Sequence, residues 1–212
     1  MELIDTHCHL DAADFDADRR QVLERARQQG VQSMVVPAVD AEHWAGLIQL
    51  CDSDQALFPA LGLHPVYLQV HKPEDISALE SEIEQRRPVA VGEIGLDYFI
   101  RELDREKQRV LFEAQLEVAR NAGLPVILHV RKAHDQALSI LRRIRVRGGS
   151  AHAFNGSLQQ ARQYIDMGFK LGFGGMLTYQ RSHRLRRLAA ALPVDAIVLE
   201  TDAPDMVVAA HR

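Results

Sequence analysis

The sequence predicts an α/β fold, a (β/α)8 TIM barrel that lacks its final covering helix. Three observations predict it. Short β-branched or apolar runs alternate with helix-period segments along the whole chain, and eight such runs can be counted. Strand–helix alternation calls for a parallel sheet, because parallel neighbours need long crossovers. An open doubly wound sheet would place a glycine-rich phosphate turn after its first strand. Here the first strand runs into His7-Cys8-His9 instead, which favours the closed barrel.

Taken in order, strands are expected at Leu3–Thr6, Ser33–Pro37, Phe58–Leu61, Val89–Gly92, Val126–His129, Ser150–His152, Lys170–Phe173 and Ala196–Glu200. Helices fill the intervals with apolar residues at i, i+3, i+4 and i+7. Ile76, Leu79 and Ile83 make one stripe; Ala137, Ile140, Leu141 and Ile144 make another; Leu185, Leu188, Ala189 and Leu192 make a third. Gly30, Gly123 and Gly168 stand where helices stop. After the eighth strand only Ala203–Arg212 remain, too few for a covering helix, so an uncovered strand with an incentive to associate is expected.

No low-complexity linker or change of composition divides the 212 residues, and residues 1–212 are read as one domain. Apolar residues make up 47% and charged residues 25%, which excludes disorder, collagen and coiled coil as descriptions of the chain. Lys and Arg number 25 against 29 Asp and Glu, a net charge of −4 that disfavours extended binding along nucleic acid. Cys8 and Cys51 form no C-x-x-C pair and read as two reduced thiols. The N-terminus carries acids where a signal peptide needs Lys or Arg before an apolar run, and no stretch has membrane-spanning length. A cytoplasmic protein is expected.

The chemistry starts from His7 and His9. Ten histidines in 212 residues make a lone His-x-His pair a weak signal, but residues two apart on a strand share a face. His7 and His9 then point together with Asp5, which is placed to orient them, while Cys8 points away. Glu93, His129, His152 and Asp202 stand at the C-terminal ends of other strands. In a barrel these ends form one rim, where active sites of this fold are built. Four histidines and two carboxylates meeting there would make a binuclear divalent-metal centre for Zn²⁺, Mn²⁺, Mg²⁺ or a similar ion, with Glu93 as the bridging candidate.

Several segments, Ile4-Asp-Thr-His-Cys-His-Leu-Asp11, Ala60-Leu-Gly-Leu-His-Pro65, Val91-Gly-Glu-Ile-Gly-Leu-Asp97 and Leu199-Glu-Thr-Asp-Ala-Pro204, resemble the signature segments of the TatD family of metal-dependent deoxyribonucleases. Pro125–Arg131 and His152–Ser157 resemble that family's fifth and sixth strand ends, with Asn155 where Ser is common. The resemblance covers nearly the whole chain up to Pro204. It implies an amidohydrolase-type barrel with two divalent cations at His7, His9, Glu93, His129, His152 and Asp202. It also implies hydrolysis of phosphodiester bonds at DNA ends, as an exonuclease. The family usually continues beyond the Asp-Ala-Pro segment, so a chain truncated relative to the family is expected.

In that reading a metal-activated water attacks phosphorus and Asp202 accepts its proton, while His64 and Arg131 contact the phosphoryl group. Glu200 shares a face with Asp202 and can support it or close the core edge. Gly172, Gly174 and Gly175 either offer backbone amides to phosphate or make tight bends. Arg142, Arg143, Arg145 and Arg147 end the fifth helix, away from the rim, and read as a solvated face. Arg181, Arg184, Arg186 and Arg187 lie on the catalytic side and can meet DNA or solvent. Trp44 reads as packing, and no aromatic platform for base stacking is evident. Two other readings keep the metals: an amidohydrolase, lactonase or phosphotriesterase acting on a small molecule, and a non-catalytic metal-binding barrel.

Overall fold

The computed structural model describes residues 2–211. Its strands are β1 (Leu3–Asp5), β2 (Val31–Pro37), β3 (Leu57–Leu61), β4 (Ala90–Asp97), β5 (Val126–Arg131), β6 (Gly149–Ala151), β7 (Phe169–Phe173) and β8 (Ile197–Leu199). They lie side by side in sequence order, every neighbouring pair parallel. Helices α1 (Arg19–Gln28), α2 (Trp44–Asp52), α3 (Asp75–Arg86), α4 (Arg105–Ala122), α5 (His134–Arg143), α6 (Leu158–Asp166) and α7 (His183–Ala190) form the crossovers. This is the TIM barrel the alternation predicts. No helix among the described residues is long and apolar enough to cross a membrane.

The expected stripes face the core. Leu79 and Ile83 of α3, Ala137, Ile140 and Leu141 of α5, and Leu185 and Leu188 of α7 are buried against the sheet. Gly123 caps α4 in the left-handed region at φ 66°, the conformation for which glycine has no steric penalty. Trp44 is buried and donates its indole N–H to the Gly62 carbonyl at 3.2 Å, a packing role.

Several strands run beyond their expected ends, β4 furthest. β4 continues past Gly92 to Asp97, and all eight of its residues are buried. Gly95 makes this possible: at φ +148° it lies so close to β5 that a Cβ would sit 2.0 Å from the His129 carbonyl oxygen. Gly92 followed by Glu93 reads as the end of a strand, yet the strand runs on to Asp97, with Gly95 in close approach to β5.

The barrel is closed at its seam by backbone hydrogen bonds around the ends of β1 and β8. Thr6 N–H donates to the Leu199 carbonyl at 3.0 Å, Asp202 N–H to that of His7 at 2.8 Å, and His9 N–H to that of Ala203 at 2.8 Å. Only a 3-10 turn at Ala209–His211 follows β8 among the described residues, and Ile4 and Leu199 on the two seam strands are left half exposed.

Candidate metal centre

The strand ends bring the six predicted ligands together. Glu93, 1% exposed, lies between two groups of histidines and uses one oxygen for each. Its Oε2 is 3.1 Å from His7 Nε2 and 3.4 Å from His9 Nε2. Its Oε1 is 2.8 Å from His152 Nε2 and 3.0 Å from His129 Nδ1. Asp202 Oδ1 completes the first group, 3.4 Å from His7 Nε2 and 3.6 Å from His9 Nε2. The short run Thr201–Ala203 lets it do so: Asp202 takes a left-handed backbone, φ 58°, that turns its carboxylate toward the cluster.

The surroundings fix the rings. His9 Nδ1 lies 3.1 Å from the Pro37 carbonyl, to which it donates, leaving Nε2 free toward Glu93. His129 Nε2 lies 3.0 Å from Asp97 Oδ2, leaving Nδ1 toward Glu93 and His152. Asp97 escaped the sequence reading; the signal was its even spacing from Glu93, which places both on one face of a strand. His64 behaves differently. Its Nδ1 accepts from Val66 N–H at 3.2 Å, so the neutral ring carries its proton on Nε2, 3.3 Å from Glu93 Oε1. In that tautomer Nε2 donates to Glu93, although its ligand atom also lies within 4.8 Å of those of Glu93 and His129.

Electrostatics follow from this crowding. Burial drives the His7 pKa down to about 3 and that of His64 to about 4. Burial also opposes charging His152, but Glu93 outweighs it and lifts that pKa to about 10. His7 and His152 stack with ring centroids 4.1 Å apart, so two adjacent charges are avoided by keeping one ring neutral. Burial alone would raise Glu93, yet the surrounding histidines hold it well below the usual carboxylate range. Burial raises Asp202 to about 6 and Glu200 to about 7.

A divalent cation fits this donor set. Imidazole nitrogens face each other in pairs: His7 Nε2 is 3.3 Å from His9 Nε2, and His129 Nδ1 is 3.3 Å from His152 Nε2. The buried His7 Nδ1 and His152 Nδ1 have no hydrogen-bond partner. Donor atoms of His7, His9 and Asp202 lie within 4.8 Å of one another, as do those of His7, Glu93 and His152. Lone pairs concentrated in this way are what a Lewis acid satisfies.

Other expectations are refined. Asp5 does not touch the histidine rings. Its Oδ1 accepts the backbone N–H of His7 at 3.2 Å and of Thr201 at 3.0 Å, and its Oδ2 accepts the Thr201 hydroxyl at 2.7 Å. It therefore ties the backbones that carry His7 and Asp202. Glu200 fills the space left by Gly172, where a Cβ would be 2.0 Å from Oε2, and accepts Ala153 N–H at 2.6 Å. Gly174 and Gly175 make similarly close approaches to the Glu200 and Met206 carbonyls, the tight-bend alternative. Arg184 donates to the Asn155 and Gly156 carbonyls, and Arg186 to those of Leu177, Tyr179 and Gln180. Both pin loops. At the end of α5, Arg142 bonds the Gln163 side chain and Arg143 pairs with Glu113.

A cavity of about 1140 Å³ opens over the cluster, lined by His9, His64, Glu93, His129, His152 and Asp202, with Arg131 and Asn155 at its wall.

Comparison with known proteins agrees with this geometry. The family model described as TatD related DNase matches residues 4–212. A metal-dependent hydrolase of Escherichia coli K12, YjjV, named as uncharacterized, is 45% identical over 206 residues, covering 96% of this chain and 80% of its own. A similarly named hydrolase of Haemophilus influenzae is 40% identical over 220 residues, covering 97% of this chain and 82% of its own. The crystal structure of YjjV, described as a TatD homolog, superposes with a TM-score of 0.94 at 44% identity, covering 97% of this chain and 81% of that one. The chain belongs to the TatD-related DNase family of metal-dependent hydrolases.

Proposed function

We propose that this protein hydrolyses phosphodiester bonds at DNA ends, as an exonuclease, with two divalent cations held by His7, His9, Glu93, His129, His152 and Asp202. The observation that carries the reading is Glu93, whose two oxygens divide the histidines into two groups at the floor of one cavity. The family description, TatD related DNase, supports the substrate class. Cations bound there supply Lewis-acid activation of water and offset charge on the phosphoryl oxygens. The chain's own residues do the rest. Asp202 lines the cavity, a carboxylate placed to accept the proton of the attacking water. His64 presents Nε2–H to Glu93 and steadies that carboxylate against movement. Arg131, the only Arg or Lys lining the cavity among the described residues, faces the incoming phosphate. Cys8 and Cys51 are free, buried and pushed up to about 12 by burial, inert thiols that support a reducing, cytoplasmic setting.

The test is incubation of protein loaded with Mg²⁺, Mn²⁺ or Zn²⁺ with end-labelled single-stranded DNA. Stepwise shortening is expected, and Asp202→Asn is expected to abolish it while largely keeping the metal content. No shortening with any of the ions refutes the nuclease reading; an Asp202→Asn protein that turns over normally refutes the proton-acceptor role.

A further inference from the structure

Nucleic-acid affinity normally comes from cations that neutralise phosphates. The mouth of this cavity is built the other way. Asp11, Asp14, Asp40 and Asp205 line it outside the metal cluster; His43 pairs with Asp40 at 2.7 Å, and among the described residues Arg131 is the one Arg or Lys of the lining. A polyanion running away from the site is repelled by these acids, so an end bound here needs another source of affinity. The structure supplies an aromatic surface at the same mouth. Tyr67, in the 3-10 turn Pro65–Tyr67 after β3, lines the cavity and is 40% exposed. Its ring centroid is 5.6 Å from that of His64, which itself sits 3.3 Å from Glu93. On the next strand end Phe99 is 54% exposed and carries the Arg131 guanidinium 3.7 Å from its ring centroid. Phe99 thus braces the guanidinium that lines the same cavity as Tyr67.

We infer that Tyr67 is a base-stacking residue, which makes this a single-nucleotide subsite: one nucleobase packs on Tyr67 while its phosphodiester lies over the metal cluster beside Arg131. The inference rests on the proposed phosphodiesterase reading and adds to it the group by which the substrate is held. Stacking tolerates any base, and by alanine substitution it is worth roughly five- to hundredfold in affinity per base. The subsite therefore selects a terminal nucleotide by its planar base, not by its sequence and not by a long backbone footprint.

The test pairs two substrates with two variants of the metal-loaded full chain. One substrate is an oligothymidylate; the other has an abasic tetrahydrofuran residue at both ends. Tyr67→Leu is expected to raise KM on the first roughly tenfold and to leave KM on the second unchanged. Tyr67→Phe, which keeps the ring, is expected to retain the wild-type KM on both. Binding is read separately with an oligonucleotide ending in 2-aminopurine on metal-loaded Asp202→Asn protein. Its fluorescence is quenched on stacking, and the quench is lost when Tyr67→Leu is added. A Tyr67→Leu effect equal on both substrates, or absent on both, overturns the stacking role. Equal cleavage of both substrates by the wild type overturns it while leaving the nuclease reading intact. Cleavage of neither by the wild type overturns the nuclease reading, and the stacking role with it.

Discussion

The contact that sets the two ends of the chain in register is the Asp5 carboxylate, and its removal has a magnitude that can be worked out. Asp5 is 5% exposed and holds His7 N–H, Thr201 N–H and the Thr201 hydroxyl. Asp5→Ala leaves the His7 N–H buried without a partner, at about 1–3 kcal/mol, whereas Thr201, at the surface, can turn to water and loses about 1 kcal/mol. The sum is about 3 kcal/mol. For a chain of this size that lowers Tm by about 6–12 °C. Asp5→Asn keeps an oxygen for the two N–H groups and is expected to cost about 1 kcal/mol. Urea unfolding in chelator, followed through the fluorescence of the single, buried Trp44, separates the two. An Asp5→Ala protein within 1 kcal/mol of wild type, or one matching Asp5→Asn, refutes the assignment of Asp5 as the seam's acceptor.

Two further outcomes follow from the same contacts. Asp97→Asn weakens the hydrogen bond that orients His129 and should lower metal affinity roughly tenfold in a chelator-buffered titration; unchanged affinity removes Asp97 from the centre. Glu200, lifted to about 7 by burial, binds a proton in the folded state that it has lost in the unfolded chain between its ordinary pKa of 4.5 and about 7. The metal-free protein should therefore lose about 3 kcal/mol of stability as pH rises through that window. Asp202, lifted to about 6, adds to the lower part of this slope, so Glu200→Gln should reduce it by the Glu200 share while matching wild type near pH 4, and an unchanged slope would place its origin elsewhere.

Much of the architecture was legible because it rests on periodicity. Strand faces alternate by two and helix faces by 3.6, so His7 and His9 fall on one side and the stripes of α3, α5 and α7 fall inward without reference to any partner. The positions of Glu93, His129, His152 and Asp202 followed from topology, since a barrel collects strand ends whatever their separation in sequence. What was not legible depended on particular three-dimensional contacts. The full length of β4 was hidden because Gly92 passes for a strand end and Gly95 for a breaker unless the His129 carbonyl lying against Gly95 is known. The true partner of Asp5 lies 196 residues away, beyond any local pattern. Arg184 and Arg186 carry charge that suggests an anion, but loop carbonyls take their hydrogen bonds instead. Tyr67 stands singly in a short turn with no period, so its place at the cavity has no sequence signature.

The seam between β1 and β8 has a consequence for synthesis. His7 and His9 leave the ribosome first, and Asp202 joins the polypeptide almost two hundred residues later. Proteins emerge from the N-terminus onward, so a nascent chain carries unmatched histidines for most of its elongation. The complete set of donors cannot form in any fragment that stops short of Asp202. Whatever chemistry the cluster performs is thereby withheld from half-made chains and begins only after translation has passed that point.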